Sequence, residues 1–128
     1  MKINKLIFEV IDHGDQRYNS LGDYFFDSDG VLRIYVSKMP NYKMQLLILV
    51  HELIEVLLTE EHNIPESLIT KFDVGYEEAR QLGDLSEPGD CSMAPYKNEH
   101  CFATGIERLM CSMLNVDWLE YEAACNSM

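Results

Sequence analysis

Between residues 46 and 58 the chain reads LLILVHELIEVLL, ten aliphatic side chains interrupted by His51, Glu52 and Glu55. These three have the types and the spacing to do chemistry. His51 and Glu55 stand at i and i+4, one above the other on a helix, and Glu52 lies about 100° round from His51. No wide polar face exists over these turns, and a helix that is apolar all round is a buried helix. An unpaired buried carboxylate is costly, and two on adjacent turns also repel each other. A salt bridge, a shared proton or a divalent cation must neutralise them. A cation does so while using the histidine as a neutral nitrogen ligand.

HELIE differs by one residue from HExxH, in which two histidines hold a metal and the glutamate acts as general base on metal-bound water. Carboxylate oxygen is a competent ligand, so Glu55 can stand where the second histidine would be. This spacing predicts His51 and Glu55 as ligands and Glu52 as the base. A third ligand must come from elsewhere in the chain. His100 is the first candidate and Asp73 the alternative. His100 opens a helix on which Thr104, Glu107 and Cys111 share its face, opposite Phe102, Ile106, Leu109 and Met113. The competing expectation is that this face is wet and that Asp73 forms a salt bridge to a neighbouring helix. Glu77 and Glu107 are candidates to hold a ligand histidine's other nitrogen. His62 is expected in solvent at a helix end, and His13 in a turn away from the site. Two histidines and one carboxylate suit Zn²⁺, with Mn²⁺ and Fe²⁺ as alternatives.

The elements that must position these residues fall into two groups. The N-terminal third reads as β: KLIFEVI, GDYFF and VLRIYVS, the last with strict alternation. The DSDG between the last two predicts a hairpin. Helices are expected from Asn41 to about Asn63, from Pro65 to about Leu82 and from Lys97 to about Leu114, with a short closing helix capped by Asp117. GDLSEPGDCSMAP is a connecting loop. The order predicts an α+β fold: a small N-terminal antiparallel sheet of about three strands packed on three to four helices, as a single domain over residues 1–128.

Of the 128 residues, 10 are basic and 22 acidic, for a net charge of -12. Such a surface repels phosphate backbones, which argues against nucleic acid and for a metal cation or a neutral or basic partner. No apolar stretch reaches the ~20 residues of a membrane span. MKINKLIFEVID is broken by Asn4, Lys5 and Glu9 and lacks a cleavage pattern, so a cytoplasmic protein is expected. Cys91, Cys101, Cys111 and Cys125 form no CxxC pair. Cys101, Cys111 and Cys125 are expected as small buried apolar residues of helices.

Several blocks, HELIE, FDVGYEEAR, EPGD, PYKNEHCFATGIERLM and LNVDW, with GDYFF as a weaker N-terminal echo, make the chain resemble a group of small bacteriophage and prophage proteins. The order strand, strand, helix with HELIE also resembles a minimal zincin, with HExxE in place of HExxH. The resemblance implies that VLRIYVS is the edge strand lining a substrate cleft. It further implies a metallopeptidase-type hydrolase acting on a peptide or host protein in the host cytoplasm, with His51 as ligand and Glu52 as base. The alternative is a non-catalytic accessory protein that binds a host component on the same scaffold. Glu52 and Glu55 also form the ExxE half of an all-α nucleotide pyrophosphohydrolase site, but the matching ExxD is missing and the N-terminal strands do not fit.

Overall fold

The computed structural model describes residues 3–128. Its three strands are β1 (Leu6–Ile11), β2 (Gly22–Phe26) and β3 (Leu32–Ser37), in the spatial order β1-β3-β2. β3 is the central strand, and its alternation puts Leu32, Ile34 and Val36, all fully buried, on one face. β2 and β3 form the expected hairpin, with Phe26 opposite Leu32 and Gly22 opposite Val36. Asp27 organises its turn by accepting the amides of Asp29 and Val31 on Oδ1 at 2.9 and 3.0 Å. Gly30, at φ 78°, takes the left-handed conformation that glycine adopts without strain.

Two expectations for the sheet are corrected. β1 runs parallel to β3, with Leu6 opposite Leu32 and Ile11 opposite Ser37, so the sheet is mixed rather than antiparallel. A tight turn can only produce an antiparallel neighbour, but the segment 12–21 is long enough to carry the chain across the sheet. Strand patterning does not encode direction. VLRIYVS is not an edge strand either, because β1 takes its second side. The edge nearest the candidate site is β2.

Four helices follow: α1 (Tyr42–Glu61), α2 (Glu66–Glu78), α3 (Lys97–Met113) and α4 (Trp118–Asn126). Asn41 caps α1 by accepting the Lys43 amide at 2.8 Å, and Asp117 caps α4 by accepting the Glu120 amide at 3.0 Å. α1 and α3 each end at an asparagine in the left-handed region, Asn63 at φ 56° and Asn115 at φ 57°. α2 stops short of Leu82. Beyond it the Arg80 guanidinium donates to the carbonyls of Asp84 and Ser86 and holds the chain in a loop.

α1 packs against β2 and β3 on one side and α3 on the other, as its all-round apolar pattern requires. α3 presents His100, Ala103, Glu107 and Cys111 inward. Phe102, Leu109 and Met113, its opposite face, stand in solvent. The face that the sequence left open as wet is therefore the buried one. Cys101 is exposed, which corrects its expected burial, whereas Cys111 is buried and Cys125 half-buried. Among the described residues no helix is long and apolar enough to cross a membrane.

Candidate metal centre

Three atoms converge between α1 and α3. Nε2 of His51 lies 3.0 Å from Oε2 of Glu55, Nδ1 of His100 lies 3.0 Å from the same oxygen, and the two nitrogens are 3.2 Å apart. A tetrahedral ion with bonds of about 2.0–2.1 Å separates neighbouring ligand atoms by about 3.3–3.4 Å. The triangle is thus close to one face of such a coordination shell. All three side chains are buried, and they form a group able to hold a metal ion.

The outer nitrogens explain why the inner ones converge. Nδ1 of His51 donates to Oε1 of Glu107 at 2.8 Å. Glu107 is in turn fixed by the Tyr121 hydroxyl from α4, which donates to its other oxygen. Nε2 of His100 donates to Oε2 of Glu87 at 3.1 Å and lies 3.4 Å from Oδ1 of Asp90. With both outer nitrogens carrying protons, a neutral ring must aim its remaining lone pair at the centre. Three lone pairs at this distance repel unless a proton or a cation lies between them.

The protonation energetics agree. Burial pushes His51 down, but Glu107 and Glu55 outweigh it and hold the ring well above its ordinary value. Burial likewise opposes the charge on His100, yet Glu55 and Glu87 raise it to about 10. Burial would raise Glu55, and the hydrogen bonds from His100 and His51 hold it below the usual carboxylate value instead.

Glu52 belongs to the same helix turn but to none of these bonds. Burial, and next the charge of Glu55, raise its pKa well above the ordinary glutamate value. It lines a cavity of about 300 Å³ together with His51, Glu55, Asp73, Tyr96 and His100. Two glycines allow the site to close. A methyl group on Gly22 in β2 would lie 2.6 Å from Oε1 of Glu52. One on Gly89, in the short turn Pro88–Asp90, would lie 2.4 Å from Nδ1 of His100. Backbone therefore packs directly on the Glu52 carboxylate from one side and on the His100 ring from the other.

Of the residues singled out from sequence, His51, Glu55 and His100 meet, Glu52 stands beside them, and Glu107 holds His51. Asp73 does not reach the triangle. It accepts hydrogen bonds from the hydroxyls of Tyr96 at 2.5 Å and Tyr18 at 3.1 Å, rather than the salt bridge expected for it. Glu77 holds no histidine, because Arg80 takes both of its oxygens at 2.7 Å. His13 bonds to Ser37 and Asn19, away from the cluster. His62 is half-exposed and paired with Glu99. Sequence reasoning missed Glu87, Asp90, Gly89 and Gly22. The signal for the first three was the EPGD block, which reads as an ordinary loop, and Gly22 lay in GDYFF, which reads only as a strand. Searches of protein-family models, curated proteins and solved structures give no match to this chain.

Proposed function

We propose that this protein is a metal-dependent hydrolase of the peptidase type, with Zn²⁺ held by His51, Glu55 and His100. The observation that carries the reading is the convergence of three buried donor atoms at 3.0–3.2 Å beside a fourth ionisable residue, Glu52. Two imidazoles and one carboxylate in a near-tetrahedral triangle suit zinc over Mg²⁺ or Ca²⁺, which prefer all-oxygen shells. The ion would supply Lewis acidity and bring the pKa of a water in its open position towards neutrality.

The chain's own residues do the rest. Glu107 and Tyr121 hold His51 in the tautomer that aims Nε2 inward, and Glu87 does the same for Nδ1 of His100. Glu52 would take the proton of the attacking water, and its raised pKa suits an acceptor that must work near neutral pH. β2 is a sheet edge beside the cavity, and an extended peptide is the shape that such an edge accepts. Four free cysteines suit a reducing cytoplasm.

The test is peptide cleavage by tag-free, zinc-loaded protein, read by mass spectrometry of an unbiased peptide mixture. New termini with the wild type and none with Glu52→Gln are expected. Equal cleavage by both, or a wild type that retains no metal, would refute the reading. Metal retained by both without cleavage by either points to a binding protein on the same scaffold.

A further inference from the structure

We propose, resting on the hydrolase reading, that the cavity beside the candidate centre takes an arginine side chain of the bound peptide, with Asp73 receiving its guanidinium. The cavity of about 300 Å³ lies at the small end of ligand pockets, which run from about 300 to 1,000 Å³. It has room for one long side chain next to the centre.

The charge of its wall selects the sign of that side chain. Among the described residues Arg80 is the one guanidinium in the wall, and no lysine lines it. Arg80 pairs with Glu77 and lies 3.9 Å from Asp84, and Arg17 pairs with Asp23. Glu66 and Asp73 line the same wall with no lysine or arginine bonded to them. Glu66 accepts the Phe26 amide, and Asp73 accepts two phenols. With a divalent ion at the centre, Glu55, Glu66, Asp73 and Glu87 still outnumber its two charges. A cleft lined by one sign of charge concentrates the opposite sign, so this wall repels phosphate and carboxylate groups and draws in a cation.

Asp73 has the form that a guanidinium needs. It is 8 % exposed and is held from two distant segments, by the Tyr18 hydroxyl on Oδ2 at 3.1 Å and the Tyr96 hydroxyl on Oδ1 at 2.5 Å. A carboxylate has about four acceptor positions, so each oxygen keeps one. Arginine donates two parallel N–H bonds to a carboxylate, whereas lysine offers a point charge. Burial raises the pKa of Asp73 to about 6 against an ordinary 3.8, and a bound cation would relieve that cost of ionisation. Tyr96 also sets the position. Its ring stands edge-on to His100 with centroids 6.0 Å apart, while its hydroxyl reaches Asp73. Asp73 therefore lies one phenol ring away from the centre, which calls for a long side chain.

The test is NMR titration of the full chain, with and without zinc, by N-acetyl-arginine amide and by N-acetyl-citrulline amide, which keeps the shape and lacks the charge. The arginine compound should bind more tightly by about tenfold or more, the scale of a charge-assisted bidentate bond. Asp73→Asn should remove that preference and leave zinc affinity unchanged. Glu78→Gln, at an exposed acid outside the cavity, should keep it. Equal affinity for the two compounds, or a preference that survives Asp73→Asn, would overturn the proposal. A protein that prefers arginine yet cleaves no peptide keeps this pocket and loses the hydrolase reading. One that cleaves peptides without regard to arginine keeps the hydrolase reading and loses the pocket.

Discussion

Gly89→Ala tests the candidate centre without replacing any of its three donor residues. The added methyl would lie 2.3 Å from Cγ, 2.4 Å from Nδ1 and 2.7 Å from Cδ2 of His100. Unstrained carbon contacts begin at about 3.5 Å, so the ring or the loop must yield by about 1 Å. Metal–ligand distances tolerate only about 0.2 Å. His100 would leave the triangle, and a three-donor site would become a two-donor one. A loss of roughly 100-fold in zinc affinity is expected, the upper end for displacing a group that orients a ligand. With zinc at 100 times the wild-type dissociation constant, binding stabilises the wild type by about 2.7 kcal/mol. For a domain of this size that is about 10 °C in Tm. The variant, a hundredfold weaker, should gain about 0.4 kcal/mol at the same concentration. The assay is thermal unfolding of tag-free protein with and without zinc, backed by chelator competition. Gly14→Ala is the control, because a methyl there meets nothing within 4 Å. Wild-type zinc stabilisation in Gly89→Ala would refute the reasoning. So would a metal-free variant about 0.4–1 kcal/mol more stable than the wild type, the gain a freely tolerated Gly→Ala change produces.

Three further substitutions have outcomes set by the same structure. Glu107→Gln should weaken zinc binding by roughly 10–100-fold by releasing the tautomer of His51, measured by the same chelator competition. Glu52→Gln should lower the rate of any hydrolysis by about 10²–10⁴-fold with little change in zinc affinity. It should also raise the Tm of the metal-free protein at pH 7, since it removes a carboxylate whose folded pKa lies above its unfolded value. Asp73 has a folded pKa of about 6 against an ordinary 3.8, set mainly by burial. It therefore costs stability progressively as pH rises from about 4 to about 6, by an upper bound of about 3 kcal/mol. Asp73→Asn should flatten the stability profile of the metal-free protein across that window in urea unfolding. An unchanged slope would show that the Tyr18 and Tyr96 hydrogen bonds already offset the burial.

The residues of the HELIE helix were legible from spacing because helix geometry is local. Backbone hydrogen bonds set 100° per residue, so i and i+4 place His51 over Glu55 wherever the helix lies. The caps at Asn41 and Asp117 and the Asp27–Gly30 hairpin turn were legible for the same reason, since each is satisfied within a few residues. Burial of the helix followed from its lack of a polar face. The third donor of the candidate centre was a different matter. His100 was the first of two candidates, with Asp73 the alternative, but nothing local could bring either to His51.

Packing brought only one of them to the pair. α3 lies along α1 with its ionisable face inward, against the usual rule that the apolar stripe is buried, and so brings His100 and Glu107 to His51. Asp73 instead meets two tyrosines from distant segments. The direction of β1, the central place of β3 and the contact of Gly89 with His100 depend on how long connections close. By itself the sequence determined which residues share a helix face. Only the tertiary structure decided which faces meet, because that depends on the free energy of the whole packed arrangement rather than on the spacing within any one element.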